Sequence, residues 1–286
     1  MPAAPRPLSD APSAALAALR WVLTDIDDTL TEGGRLPAVA LDAMERLDAA
    51  GMRVIPVTGR PAGWCDAIAR QWPVAAVVGE NGALWYAEDR YAKDRYAEDG
   101  AARRMLRWHV ADDAARAATH ARLLDLAAAA MAAVPGARIA ADQPFRLFDV
   151  AVDFAEDAGP LPPDAAARIA AVFRAGGATA KVSSIHVNAW FGAWDKLSGI
   201  EALFAARIAP FAGCREQVAF LGDSPNDSPL FAAVPLSVGV ANAAPFLGAM
   251  EAPPAYLTRA PGGRGFAEFA DAVLRAKKEP VEEYAA

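Results

Sequence analysis

Cysteine and histidine are both scarce in this chain. Its 286 residues include two cysteines, Cys65 and Cys214, and three histidines, His109, His120 and His186. Two cysteines do not build a disulfide framework, so packed thiols in a reducing cytoplasm are the expectation. No His or Cys pair has zinc-ligand spacing, and His109 and His120 read as residues on a solvated helix face. No apolar run reaches the roughly 18 residues of a membrane span, and the first ten residues hold no apolar core of a secretory signal. An excess of basic residues is also missing. Lys and Arg number 28 against 35 Asp and Glu, a net charge of −7. That argues against a broad nucleic-acid surface but not against a small anionic substrate, because a local cation reverses the sign.

What the chain does have is apolar content, 54% of residues, over a length expected for about two domains. Strand-like segments at 21–24, 53–57, 74–78, 218–221 and 235–240 are interleaved with helical periodicity at 36–50 and 61–71. This alternation predicts an α/β fold: a Rossmann-like three-layer core with a mostly parallel sheet, plus an inserted α+β domain. The expected boundaries are a flexible arm at 1–19, set by Pro2, Pro5, Pro7 and Pro12, a core at 20–85 and 191–276, a cap at 86–190 and a frayed tail at 277–286. Residues 85–99 repeat a five-residue aromatic–acidic unit three times, read as a local duplication around a hairpin. The cap has a helix at 114–133, a strand at 147–154 and one or two strands within 180–190. Trp64, Trp72, Trp108, Trp190 and Trp194 read as packing groups rather than a stacking platform.

Chemistry is suggested first by Asp25 and Asp27. They follow an apolar strand and, being two apart, face one spot at its end. Like charges that close call for a cation or a shared proton, although a turn or helix cap explains acids there equally. Gly222-Asp223-Ser224-Pro225-Asn226-Asp227 follows another apolar strand. Asp223 and Asp227 suit a hard cation such as magnesium, and Asn226 could donate to a phosphate oxygen. In parallel sheets ligands bind beyond the carboxyl ends of the strands, so Asp25, Thr58 and Asp223 are expected along one edge. Thr58 offers a hydroxyl and neighbouring N–H groups, or a cap before Pro61. Lys196 opens a helix, either solvated or directed at the acids.

Together these segments resemble the four motifs of the haloacid dehalogenase superfamily: Asp25-Ile26-Asp27-Asp28-Thr29, Thr58, Lys196 and Gly222 to Asp227, in the family's order. The position of the cap resembles the C2 type. Thr58-Gly59-Arg60, Glu80-Asn81-Gly82-Ala83 and Asn226 are similar to the IIB branch, with Cof-like, sucrose-phosphate phosphatase and mannosyl-3-phosphoglycerate phosphatase relatives. Gly262 to Glu268 is similar to the last of these.

The resemblance implies a magnesium-dependent phosphatase with Asp25 as nucleophile and Asp27 as proton donor and acceptor. Magnesium would be held by Asp25, the Asp27 carbonyl, Asp223 and Asp227, and the phosphoryl oxygens by Thr58, Lys196 and Asn226. An acid at position 27 disfavours a dehalogenase or an ATPase. A phosphomutase and a non-catalytic phosphate- or magnesium-binding regulator stay as alternatives. The expected substrate is a small phosphorylated metabolite of phosphosugar type. Its remaining contacts are expected from Arg60, Asn81, Arg146, Lys181, Ser183, Ser184, His186 and Asn188, with Arg146 and Lys181 meeting a second anion and His186 and Asn188 meeting hydroxyls. Surface charge and strand polarity are the plainer explanation of the cap residues.

Overall fold

The computed structural model describes residues 4–89, 104–159, 161–183 and 185–278. The second and third copies of the five-residue repeat, Ser184 and most of the expected tail lie outside these. The chain divides into two compact units: residues 1–57, 71–76 and 201–286, and residues 58–70 and 77–200. Among the described residues no helix is long and apolar enough to cross a membrane.

The first unit is built on a six-stranded sheet in the order Arg6–Pro7, Tyr256–Leu257, Leu236–Gly239, Val218–Gly222, Trp21–Thr24, Arg53–Pro56. Every neighbouring pair is parallel, so the α/β expectation holds. Val218–Gly222 and Trp21–Thr24 lie inside the sheet, and their apolar residues are nearly all buried, as central parallel strands require. Their register sets Leu221 opposite Thr24, Thr24 opposite Pro56 and Gly222 opposite Gly239. The carboxyl ends of four strands are therefore level.

Helix Ala38–Ala49 buries Ala40, Ala43, Met44 and Leu47, the helical spacing seen in the sequence. It packs on the last helix, Gly262–Lys278. Gly263 makes that approach possible. A Cβ there would lie 2.6 Å from the Leu30 carbonyl oxygen and 2.6 Å from Pro37. The glycine-rich start of this helix is thus a packing device against residues 30–40.

The second unit holds two antiparallel sheets. Val77–Gly79, Leu84–Glu88 and Met105–His109 form one. The expected third core strand is therefore the first strand of an antiparallel hairpin, turned by Glu80-Asn81-Gly82, and the division does not follow the expected boundaries near 85 and 190. The other sheet runs Arg138–Ile139, Val150–Asp153, His186–Trp190, Thr179–Val182. Helices Asp113–Ala133 and Ala165–Ala175 share a core with Val150, Val152, Val187 and Ala189. The alternate residues Ala151, Asp153, His186 and Asn188 occupy its opposite face. His109 is on a strand rather than a helix, packed edge-on to Phe148.

Residues 6–19 are not a loose arm. Arg6–Pro7 adds an edge strand, where proline's missing N–H costs no ladder bond, and Pro12 immediately precedes helix Ser13–Ala18. Lys277 Nζ donates to the carbonyls of Ala17 (2.9 Å), in the last turn of that helix, and Leu19 (2.7 Å), just past it. Leu8, Leu16 and Leu19 are buried. Leu19→Ala should therefore lower the unfolding free energy by about 2–5 kcal/mol. Denaturant titration checks this, and an unchanged midpoint would return the segment to the status of an arm.

Candidate active site

Asp25 is the first residue beyond strand Trp21–Thr24. Its N–H extends the ladder to the Leu221 carbonyl at 2.9 Å, and Thr24 Oγ1 donates to its carbonyl at 2.9 Å. The chain then turns sharply around the Ile26 carbonyl, which accepts N–H bonds from Thr29, Leu30 and Thr31. Asp28 takes a positive φ of 58° in this turn, and its N–H is capped by Thr31 Oγ1 at 3.1 Å. The turn delivers Thr29, whose hydroxyl donates to Asp223 Oδ1 at 3.2 Å across a sequence gap of 194 residues.

Asp223 leads the loop after Val218–Gly222. Asp227 folds back beneath it, its Oδ2 accepting the N–H groups of Asp223 (3.0 Å) and Ser224 (3.1 Å). Gly222 is needed for this return, since a Cβ there would sit 2.5 Å from Asp227 Oδ2. Ser224 and Asp227 close a reciprocal capping box, and Asn226 Oδ1 accepts from Ser224 Oγ at 2.6 Å. Asn242, which sequence reasoning missed, donates to the Asp28 carbonyl at 2.9 Å and reaches Asp223 Oδ2 at 3.5 Å. A single asparagine outside any motif gave no sequence signal.

The result is a buried group of three carboxylates. Asp25, Asp223 and Asp227 each present an oxygen within 4.8 Å of the others'. Three acids this close repel strongly, and a divalent cation is a natural counterweight. Asp27 is half-buried, and its carboxylate is not part of the group.

Thr58, Arg60 and Asn81 come together within the second unit. Segment 58–62 pairs with 78–81 through Thr58 N–H to Val78 O (2.9 Å), Glu80 N–H to Arg60 O (3.1 Å) and Asn81 N–H to Thr58 O (3.0 Å). Thr58 Oγ1 accepts from Arg60 N–H. Glu80 and Asn81 both have positive φ, 46° and 54°. The Asn81 amide nitrogen is buried without a hydrogen-bond partner among the described residues, and the Asn81 side chain lies against Gly59. Lys196 is fully buried in the first turn of helix Lys196–Arg207. Asp195 and Ser198 fix that turn by exchanging backbone-to-side-chain bonds of 2.9 Å.

Several expected substrate contacts are otherwise engaged. Arg146 is buried, bonding Asp142 through Nε and Nη2 (both 3.0 Å) and Asp149 and the Gly59 carbonyl through Nη1 (3.0 and 2.9 Å). Burial works against its charge, but Asp149 and Asp142 outweigh it and raise its pKa. Asn188 Nδ2 donates to Asp149 Oδ2 at 2.8 Å. Ser183 Oγ closes the hairpin to His186, accepting its N–H and donating to its carbonyl. Arg60 pairs with Glu156 at 2.8 Å and lies over the Trp64 ring at 4.4 Å. His186 Nε2 stands 2.9 Å from Glu156 Oε2, close enough for a charge contact but off the line of a hydrogen bond. Lys181 is half-buried on Thr179–Val182. Arg146, Asn188 and Ser183 are thus internal struts of this unit. Each has an acid or backbone partner supplied by tertiary structure, which spacing along the sequence does not reveal.

Residues 22–120 match the family model of haloacid dehalogenase-like hydrolases. That span includes Asp25-Ile26-Asp27-Asp28-Thr29 and Thr58, two of the four segments. No curated protein matches the chain. Among solved structures, Thermoplasma acidophilum protein 0175 is similar at 15% identity and TM-score 0.64, covering 90% of this chain and 98% of its own. The sucrose-phosphatase of Synechocystis sp. PCC6803, solved with sucrose and phosphate, is similar at 14% identity and TM-score 0.56, covering 89% and 97%. A subclass IIB sugar phosphatase of the same superfamily is similar at 14% and TM-score 0.55, covering 91% and 98%. At these identities the likeness is one of fold.

The Glu156 contacts have a pH consequence. The His186 ring beside it lowers its pKa, burial opposes that, and Arg60 adds to the lowering, leaving it at about 2. A depressed carboxylate stabilises the fold above its unfolded pKa, and that stability is lost as pH falls toward the folded value. Glu156→Gln should therefore cost about 1–3 kcal/mol at pH 7, the range allowing for its partial exposure, and progressively less from pH 4.5 to 2. Urea unfolding of both proteins across that range measures it, and a difference independent of pH would reject the assignment.

Proposed function

We propose that this chain is a magnesium-dependent phosphatase that hydrolyses a small phosphorylated metabolite, of phosphosugar class, through an aspartyl-phosphate on Asp25. The observation that carries the proposal is the buried Asp25–Asp223–Asp227 group at the level carboxyl ends of two central parallel strands. Its donors are all oxygens, which fits a hard cation rather than a thiophilic one. Asp25, the Asp27 carbonyl, Asp223 and Asp227 would hold the ion. When bound it would neutralise phosphate charge and orient the ester.

The residues would then act as follows. An Asp25 oxygen attacks phosphorus as the bond to the leaving alkoxide breaks, and Asp27 gives that oxygen its proton. In the second half Asp27 takes a proton from water, whose oxygen attacks phosphorus as the bond from Asp25 to phosphorus breaks, freeing phosphate and restoring the Asp25 carboxylate. Asp27, which is not one of the three clustered carboxylates, is the acid left to move protons. Thr58, Lys196 and Asn226 would hold phosphoryl oxygens. The unpartnered Asn81 amide suits a substrate oxygen, because a buried donor without an acceptor is costly until one arrives.

The sugar reading draws support from the similar folds of the sucrose-phosphatase and the subclass IIB sugar phosphatase. It also draws on what the arginines are doing. Arg60 and Arg146 are both neutralised by carboxylates, whereas a phosphomutase must retain a bisphosphate and would need cations for its second group. The scarcity of cysteine supports a cytoplasmic setting.

A panel of phosphorylated sugars and other metabolites assayed with magnesium should reveal phosphate release. Asp25→Asn should abolish it. Asp27→Ala should reduce turnover by about 10²–10⁴-fold yet keep the rise in melting temperature that magnesium produces. Phosphate binding by the wild type with no ester hydrolysed would favour the regulator instead. Wild-type turnover in Asp27→Ala would remove the acid–base role.

A further inference from the structure

Glu80 takes no part in the chemistry above, yet its carboxylate accepts four backbone N–H bonds from two separate chain segments. Its Oε1 accepts the N–H groups of Ala62 (2.9 Å) and Leu147 (2.8 Å), and its Oε2 those of Phe148 (2.5 Å) and Asp149 (3.2 Å). Its own N–H bonds the Arg60 carbonyl at 3.1 Å. The side chain is fully buried, on backbone held at a positive φ of 46°. A non-glycine residue persists in that region only where surrounding bonds over-determine it. Arg146 reinforces the same junction by joining the Gly59 carbonyl to Asp142 and Asp149.

We propose that Glu80 is a positioning residue for phosphoryl transfer: its ionised carboxylate ties residues 60–62 to residues 147–149 and so fixes the Thr58–Gly59–Arg60 turn, and taking up a proton releases that tie. The functional half of this rests on the role given to Thr58 under the proposed function. The geometry supplies the switch. Four N–H donors address two oxygens that can only accept. A proton on either oxygen turns one acceptor into a donor facing an N–H, and at least one bond must break. The surroundings make protonation accessible near neutrality. Burial raises the Glu80 pKa, Asp149 raises it further, and the N–H bonds of Leu147, Phe148 and Ala62 oppose them, leaving it at about 7. Arg146 keeps its charge. Burial holds the Cys65 thiol well above its usual value and Tyr86 up to about 12.

The sign follows from the raised value. From about pH 4.5 to 7 the folded protein holds a proton that the unfolded chain has lost, so the neutral, slackened form is favoured at the acid end and the tied form above pH 7.

Two measurements test the proposal. In wild-type protein, backbone amide resonances of Ala62, Leu147, Phe148 and Asp149 followed from pH 5.5 to 8.5 should titrate together with a midpoint near 7. This readout needs no substrate, so it stands even if no phosphatase activity is found. With an active substrate, Glu80→Gln imitates the protonated state. Its kcat should fall about 10- to 100-fold at pH 8.5, the scale of a 1 Å misplacement, and the gap to wild type should close below pH 6. A purely structural role would give a gap that does not vary with pH. Amide resonances without a transition in this range, or a pH-independent ratio, would overturn the proposal.

Discussion

Three carboxylates held within 4.8 Å of one another set the terms for the first unit. Such a group forms only if two strand ends are level and adjacent, and the parallel pairing of Trp21–Thr24 with Val218–Gly222 provides that. The devices around it serve the same end. Gly222 leaves room for Asp227 to fold back. The Ile26-centred turn delivers the Thr29 hydroxyl to Asp223. Asn242 links the two loops and is itself bonded by the Gly262 N–H. The close packing at Gly263 keeps the last helix against residues 30–40 and so supports that link. Each device orients an oxygen, and together they hold the acids despite their repulsion.

The second unit treats its acids differently. Asp142, Asp149 and Glu156 are met by Arg60, Arg146 and His186. Glu80 is met by backbone N–H groups alone. Breaking one partner of a buried pair leaves an uncompensated charge, which costs far more than the pair contributes. The network is therefore better suited to fixing one arrangement of chain segments than to yielding a cation to an incoming ligand.

The sequence made the architecture of the first unit and its acids legible, for local reasons. The strands are short apolar runs, the acids follow them directly, and glycines mark the turns. Asp25, Asp223 and Asp227 could be named because each sits at a position where chain direction and side-chain parity are predictable. The misses came from tertiary structure. Pro5, Pro7 and Pro12 suggested a loose arm, but proline is harmless on an edge strand and just before a helix. Val77–Gly79 looked like a further parallel strand because an apolar run does not announce its partner, and the hairpin at Glu80-Asn81-Gly82 redirected it.

The cap cations show the deeper reason that ligand residues are hard to read from sequence. An arginine is a candidate ligand only if no carboxylate reaches it first, and its competitors here lie from three residues away, as Asp149 does from Arg146, to 96 away, as Glu156 does from Arg60. Nothing in local spacing separates a cation waiting for substrate from one already spent. The donors that do stand out are uncharged. The Asn81 amide is buried, unpartnered and held on left-handed backbone beside Gly59. Such a donor is costly to bury until an acceptor reaches it. The arginines of this unit thus act as a frame, tied by carboxylates from near and distant segments.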